Sequence, residues 1–211
     1  MLDLYTWATP NGRKVSIMLE EIGMPYQVHA VDISRNEQFA PGFLEIAPNN
    51  RIPAIVHEAD GERVALMESG AILVYLAELS GKLLPTDGRR HQVLQWLMWQ
   101  MGGFGPMLGQ AHHFLRYAKG KAEYAEQRFC DEAQRLYGVL DRQLARHAFV
   151  AGDAYSIADI AIWPWASRHE WHQVDLHAYP QVLRWYRELA ARPAVQRGYD
   201  VPTKVNDIPL P

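Results

Sequence analysis

"YTWATPNGRKVSIMLEE", residues 5–21, changes its hydrophobic period in mid-stretch. Upstream, Leu2, Leu4 and Thr6 alternate with Asp3, Tyr5 and Trp7, the period of two that suits a strand. The run stops at Thr9, Pro10, Asn11 and Gly12. Over residues 13–22 the spacing is helical, with Val15, Met18, Leu19 and Ile22 on one face and Gly23 as a stop. A strand therefore hands over to a helix N-terminus at a corner of small polar residues, with no cysteine in the stretch. Helix N-termini carry unpaired N–H groups and a positive dipole end, and so favour anions. Asn11 adds amide donors and Thr9 a hydroxyl. Thr and Asn are also ordinary helix caps. Taken alone, the corner reads as a cap before it reads as a site.

Working outward, residues 26–31 alternate again. "APGFLEIAP" (40–48) predicts a short helix or turn between prolines. "RIPAIVH" (51–57) and "RVALM" (63–67) flank "EADGE", whose Asp-Gly pair marks a hairpin. "ESGAILVYLAELSG" (68–81) predicts a helix with Ile72, Leu73, Leu76 and Leu79 inward, Glu68 or Ser69 as its cap and Gly81 as its stop. The order is β-α-β-α-β-β-α. Beyond "KLLPTDG" (82–88) strand signals vanish, and helical spacing governs 89–100, 122–145, 156–171 and 181–191. The glycines and Pro106 of "MGGFGPMLGQ" (101–110) predict a break or kink. The tail 201–211 has three prolines and no period, which predicts a surface strap or disorder. The expected organisation is an α/β domain over 1–81, a linker over 82–88 and an all-helical domain over 89–211.

The 211 residues carry a net charge of −3, which gives no electrostatic case for nucleic acid. No apolar run approaches a membrane span. "MLDLYTW" lacks the basic start and long apolar core of a secretory signal, and the expected location is the cytoplasm. Cys130 is the only cysteine, so there is no intrachain disulfide and no CxxC pair. It falls in a helical pattern, where a free cysteine usually behaves as a small buried hydrophobe. His112 and His113 are adjacent and diverge on a helix, and "RHEWH" (168–172) is not HExxH, so no metal is expected. His169 and His172 are expected to line a cleft or face solvent. Seven tryptophans and ten tyrosines suit core packing first, and a cleft wall or interface second.

A β-α-β-α-β-β-α unit with a proline just before its third strand, here Pro53 in "NNRIPAI" (49–55), is similar to the thioredoxin fold, in which that proline is cis. Glu68-Ser69 opens a second helix N-terminus, where a carboxylate and a hydroxyl could hold an ammonium and a carboxylate of one ligand. Two such corners around a proline peptide match a zwitterionic thiol peptide, a description that glutathione fits. The chain resembles the cytosolic glutathione transferases to about residue 195. The resemblance rests on that order together with "RIPAI", "ESGAI" and "YSIAD" (155–159). "TPNG", "PNNRIPAI", "ESGAILVYLAE", "LQWLMWQMGGFGPMLGQAHHF" and "YSIADIAIWPW" narrow it to the bacterial nu class and its disulfide reductases.

The resemblance implies a thioredoxin-like α/β domain, an all-α domain and a homodimer. It also implies sites that take two glutathione molecules or one glutathione disulfide. It places Thr9 and Asn11 near the sulfur, as the catalytic pair. Gln38 and Arg51 would lie near the glycine end, Arg51 standing where many relatives have lysine. Ile52, before Pro53, would pair with the cysteinyl backbone, and Glu68 and Ser69 would hold the γ-glutamyl group. Gln100 and Arg135 would reach the ligand from the helical domain. Ser156 and Asp159 would form a structural capping box. The implied activity is reduction of a small disulfide by glutathione. Conjugation to an electrophile, peroxide reduction and non-catalytic glutathione binding remain as alternatives.

Overall fold

The N-terminal alternation forms β1 (Leu2–Thr6), with Leu2, Leu4 and Thr6 buried, in the computed structural model, which describes residues 1–211. There follow α1 (Pro10–Ile22), β2 (Gln27–Ala30), α2 (Pro41–Leu44), β3 (Ala54–Ala59), β4 (Glu62–Met67) and α3 (Ser69–Ser80). The predicted order is present, as a four-stranded sheet β2-β1-β3-β4. β1 runs parallel to β2 and antiparallel to β3, and β3 and β4 form the hairpin. Asp60 and Gly61 turn it at φ +54° and +81°, the left-handed pair that a two-residue hairpin loop requires. Leu79 departs from expectation: it is 47% exposed, because α3 buries only the face carrying Ile72, Leu73 and Leu76.

Helix α1 is buried on far more than one face, and Arg13, Lys14, Ser16 and Ile17 are all shielded along with the apolar stripe. Lys14 turns toward Ser69 of α3, and the others are covered by a helix without a clear sequence signal, α9 (Pro193–Tyr199), whose seven residues are too few to show a period. It docks backbone to backbone: a Cβ on Gly198 would lie 2.6 Å from the Cα of Ile17. Ser16 Oγ donates to the Gly198 carbonyl at 2.6 Å, and the Arg13 guanidinium lies 3.4 Å over the Tyr199 ring. Arg192 pairs with Glu21 and Arg197 with Glu20. Residues Ala191–Ile208 accordingly form one compact unit with Met1–Lys82, which corrects the assignment of everything after 88 to the helical domain. Asn206, in the tail, donates to the Tyr199 hydroxyl at 3.0 Å, so this part of the tail is a strap.

The second unit comprises Leu83–Ala190 with Pro209–Pro211. It contains α4 (Arg89–Trp99), α5 (Gly105–His112), α6 (Glu123–Leu144), α7 (Ile157–Ala166) and α8 (Pro180–Ala190). The expected break or kink at 101–110 takes the form of an interruption of the α-helical ladder between α4 and α5. A π-helical turn, Gln100–Phe104, links α4 to α5, and Pro106 falls near the start of that second helix. A second π turn, His113–Tyr117, ends it. Helix α7 stops at Ala166 rather than near Trp171, and a 3-10 turn, His169–His172, follows. The capping box at its start is formed as predicted, with Asp159 Oδ2 accepting from the Ser156 N–H at 3.0 Å. No helix is long and apolar enough to cross a membrane.

Candidate active site

Strand register gathers the site. Tyr5 pairs with Ala54, and Ala54 with Met67. The ends of β1 and β4 and the start of β3 therefore lie along one edge of the sheet. The Thr9 corner, Pro53 and Glu68 each follow or precede that edge by a few residues.

At the corner, Thr9 is extended and caps α1: its Oγ1 accepts from the Gly12 N–H at 3.2 Å. A Cβ on Gly12 would sit 2.2 Å from the Trp7 carbonyl, so only glycine lets the helix start this close to β1. Pro10 has no N–H and the cap takes that of Gly12, so the corner offers fewer backbone donors than a bare helix end. Asn11, beside Pro10 in the first turn of α1, is half-buried. The Thr9 hydroxyl keeps its proton as a donor.

The Ile52–Pro53 bond is cis. The Ile52 side chain packs on Val31, Phe43, Ala47 and Ala54, which anchors the loop from below. Its backbone N–H and C=O make no hydrogen bond within the chain. This exposed donor–acceptor pair is what an extended peptide needs in order to add to the edge. Arg51 is exposed beside it. Gln38 lies in the 3-10 turn Glu37–Phe39, with its Oε1 buried and unpartnered.

At the third position Glu68 is exposed and left-handed, with φ +69°, a conformation that costs a non-glycine residue about 1 kcal/mol or more. Glu68 stands at the N-cap of α3, as expected, but makes no side-chain cap bond. Glu68 instead accepts from Asn49 Nδ2 at 3.5 Å, leaving its carboxylate at the surface. Ser69 is 3% exposed and accepts from Lys14 Nζ at 3.3 Å. Lys14 is the residue that sequence reasoning missed. Burial lowers its pKa to about 7, with Glu68 opposing the shift.

In the helical unit, Gln100 is 1% exposed and its amide seats against Gly105, where a Cβ would come within 2.4 Å. Arg135 is exposed and forks onto Glu132 at 2.7 Å. His169 and His172 neither face solvent nor line an open cleft. They are 4% and 0% exposed, and burial holds the His172 pKa well below the usual value. No group of three or more His, Cys, Asp or Glu side chains is arranged to hold a metal ion. Cys130 is only half-buried, and partial burial with Asp131 alongside raises its thiol pKa.

Residues 8–79 match the N-terminal domain of glutathione S-transferase, and residues 97–193 match its C-terminal domain. The chain belongs to the glutathione transferase family. This glutathione transferase is 48% identical over 198 residues to the disulfide-bond oxidoreductase YfcG of Escherichia coli, covering 92% of each chain. It is 45% identical to the disulfide-bond oxidoreductase YghU of the same organism, covering 93% of this chain and 73% of that protein. Its fold superposes with a TM-score of 0.91 on a glutathione transferase from Pseudomonas putida holding one glutathione disulfide per subunit. That pair is 44% identical, covering 95% of this chain and 91% of the other. A Burkholderia graminis glutathione transferase with two glutathione molecules per subunit gives a TM-score of 0.89 at 45% identity, covering 95% and 88%.

Proposed function

We propose that the protein is a glutathione-dependent disulfide-bond reductase in which both working sulfurs come from glutathione. The observation that carries this reading is the corner: a helix N-terminus with a hydroxyl and an amide where a protein thiol would stand. Glutathione lies extended along the sheet edge. Its cysteinyl backbone pairs with Ile52, its γ-glutamyl ammonium meets Glu68, and its carboxylate meets Ser69 and the α3 N-terminus. Gln38 and Arg51 take the glycine end. The family resemblance adds Gln100 and Arg135, in the helical unit, to the glutathione-binding set.

Only a thiolate attacks a disulfide, and a free thiol near pKa 8.5 is mostly protonated at neutral pH. Thr9, Asn11 and the helix dipole favour the anion, each charge-assisted hydrogen bond contributing roughly 1.5–3 kcal/mol. The thiolate forms a bond to one sulfur of the acceptor disulfide and expels the other as a thiolate, which takes a proton from water. A second glutathione thiolate then attacks the glutathionyl sulfur of the mixed disulfide. It leaves as glutathione disulfide, and the second acceptor thiol is released. The half-buried Cys130, with its raised pKa, is a poor nucleophile for either step.

Cys130→Ser should therefore leave disulfide reductase kcat/KM within about twofold of wild type. Mass spectrometry during turnover should find no glutathione on the protein. An adduct on Cys130 that forms and decays at the catalytic rate sinks the reading. Parallel assays with a haloaromatic and a hydroperoxide rank conjugation and peroxide reduction against it.

A homodimer is part of the same proposal. It is supported by Met98, Tyr117 and Tyr124, large side chains 58%, 66% and 79% exposed on the helical unit. Sedimentation at micromolar concentration should give twice the chain mass, and a fully active monomer contradicts it. The single cysteine and the reducing chemistry suit the cytoplasm.

A further inference from the structure

Lys14 is a buried cation that the reductase scheme leaves unused. It is 1% exposed on α1, three residues beyond Asn11, and it reaches across to Ser69 in the first turn of α3. The two helix N-termini of the site are thus joined by one side-chain contact. An ammonium has three donors and no acceptor. When Lys14 is charged it donates and Ser69 accepts.

Burial disfavours the charged lysine and pulls its pKa to about 7, and Glu68 is the one charge that acts in the opposite sense. The other charged groups at the α1–α9 contact are engaged elsewhere. Arg192 and Arg197 pair with Glu21 and Glu20, and Arg13 lies against Tyr199. A carboxylate arriving over Ser69 would be a second negative neighbour for Lys14. It would favour the ammonium and draw a proton from solvent.

We propose that Lys14 is a positioning residue that holds the Ser69 hydroxyl and supplies the buried counter-charge for the carboxylate at the amino-acid end of the ligand, taking up a proton as that carboxylate docks. This rests on the reading that the γ-glutamyl group lies at Glu68 and Ser69. It predicts a pH dependence of binding that is separate from ionisation of the ligand thiol.

The test uses S-methylglutathione, whose thiol is blocked, titrated calorimetrically into the full-length protein at pH 8. Two buffers of different ionisation enthalpy report the protons exchanged. Wild type should take up roughly one proton per site, and its Kd should weaken about 20-fold between pH 6.5 and 8.5. Lys14→Met, a near-isosteric apolar replacement, should take up almost none and bind about 10-fold more weakly at pH 6.5, with a flat pH profile. Its melting temperature at neutral pH verifies that it folds. In wild type labelled with 13C-lysine, one lysine resonance should titrate near 7 and shift upward on adding S-methylglutathione. Equal proton uptake in wild type and Lys14→Met overturns the proposal. So does a weakened Ser69→Ala alongside a wild type that takes up no proton, and in that case the binding site itself stands. If neither Ser69→Ala nor Glu68→Gln changes the Kd, the site reading fails and the role of Lys14 falls with it.

Discussion

Asp159→Ala should destabilise the protein by on the order of 4 kcal/mol. Asp159 is fully buried, and its carboxylate joins three parts of the helical unit. Oδ1 accepts from the Val150 N–H and from Trp185 Nε1, both at 2.9 Å. Oδ2 accepts from the N–H and the hydroxyl of Ser156, at 3.0 and 3.1 Å. Alanine would leave the Val150 and Ser156 amides and the Trp185 indole without these bonds, at about 1–3 kcal/mol for each buried donor left unsatisfied. Stabilities of roughly 5–15 kcal/mol make such a loss severe. A melting temperature lower by roughly 10 °C is expected, and a loss under about 1 kcal/mol in urea would refute the network's importance.

The same residue has a pH signature. Burial raises its pKa to about 6 despite its four donors, against about 3.9 in an unfolded chain. Between those values the folded state binds more protons than the unfolded one. Its contribution to stability therefore falls as pH rises from about 4 to 6 and then levels off. Asp159→Asn should lose that limb of the profile.

Asn11→Ala should reduce disulfide reductase kcat/KM on the order of 10- to 100-fold, by removing a donor aimed at the developing thiolate. Because Pro10 lacks an N–H and the cap uses that of Gly12, the corner has few substitutes for the lost amide. Thr9→Ala should cost less in rate, since Asn11 and the dipole remain, and about 1 kcal/mol in stability, since Thr9 is the cap. With a donor gone the bound thiol ionises less readily, so the rising limb of the pH–rate profile should move up by about one unit. An Asn11→Ala enzyme within twofold of wild type at every pH contradicts this role for the corner.

The sheet and its order were legible because they depend on local alternation and on one Asp-Gly turn. The corner, the proline and the Glu68-Ser69 pair were legible as residues. Their convergence required the register Tyr5–Ala54–Met67, which no local period encodes. Lys14 was illegible for a different reason. It looks like a surface residue beside an apolar stripe, and only the packing around α1 takes it out of water. His169 and His172 misled in the same way, since a polar string gave no hint of the burial around them. Pro106 and its neighbouring glycines marked the interruption between α4 and α5, but not its form, because a π turn leaves no mark in the hydrophobic pattern.

The docking of α9 on α1 has a consequence for biosynthesis. A chain emerging from the ribosome releases its sheet, its cis-proline loop and α3 early, within the first 80 residues. The groove that Gly198 fills against Ile17, and the aromatic cover that Tyr199 lays over Arg13, arrive only after more than a hundred further residues. The unit that begins first is thus still uncovered when the last helix of the other unit, ending at Ala190, is complete in sequence. A stop codon ahead of residue 193 would leave α1, made nearly two hundred residues earlier, without its cover.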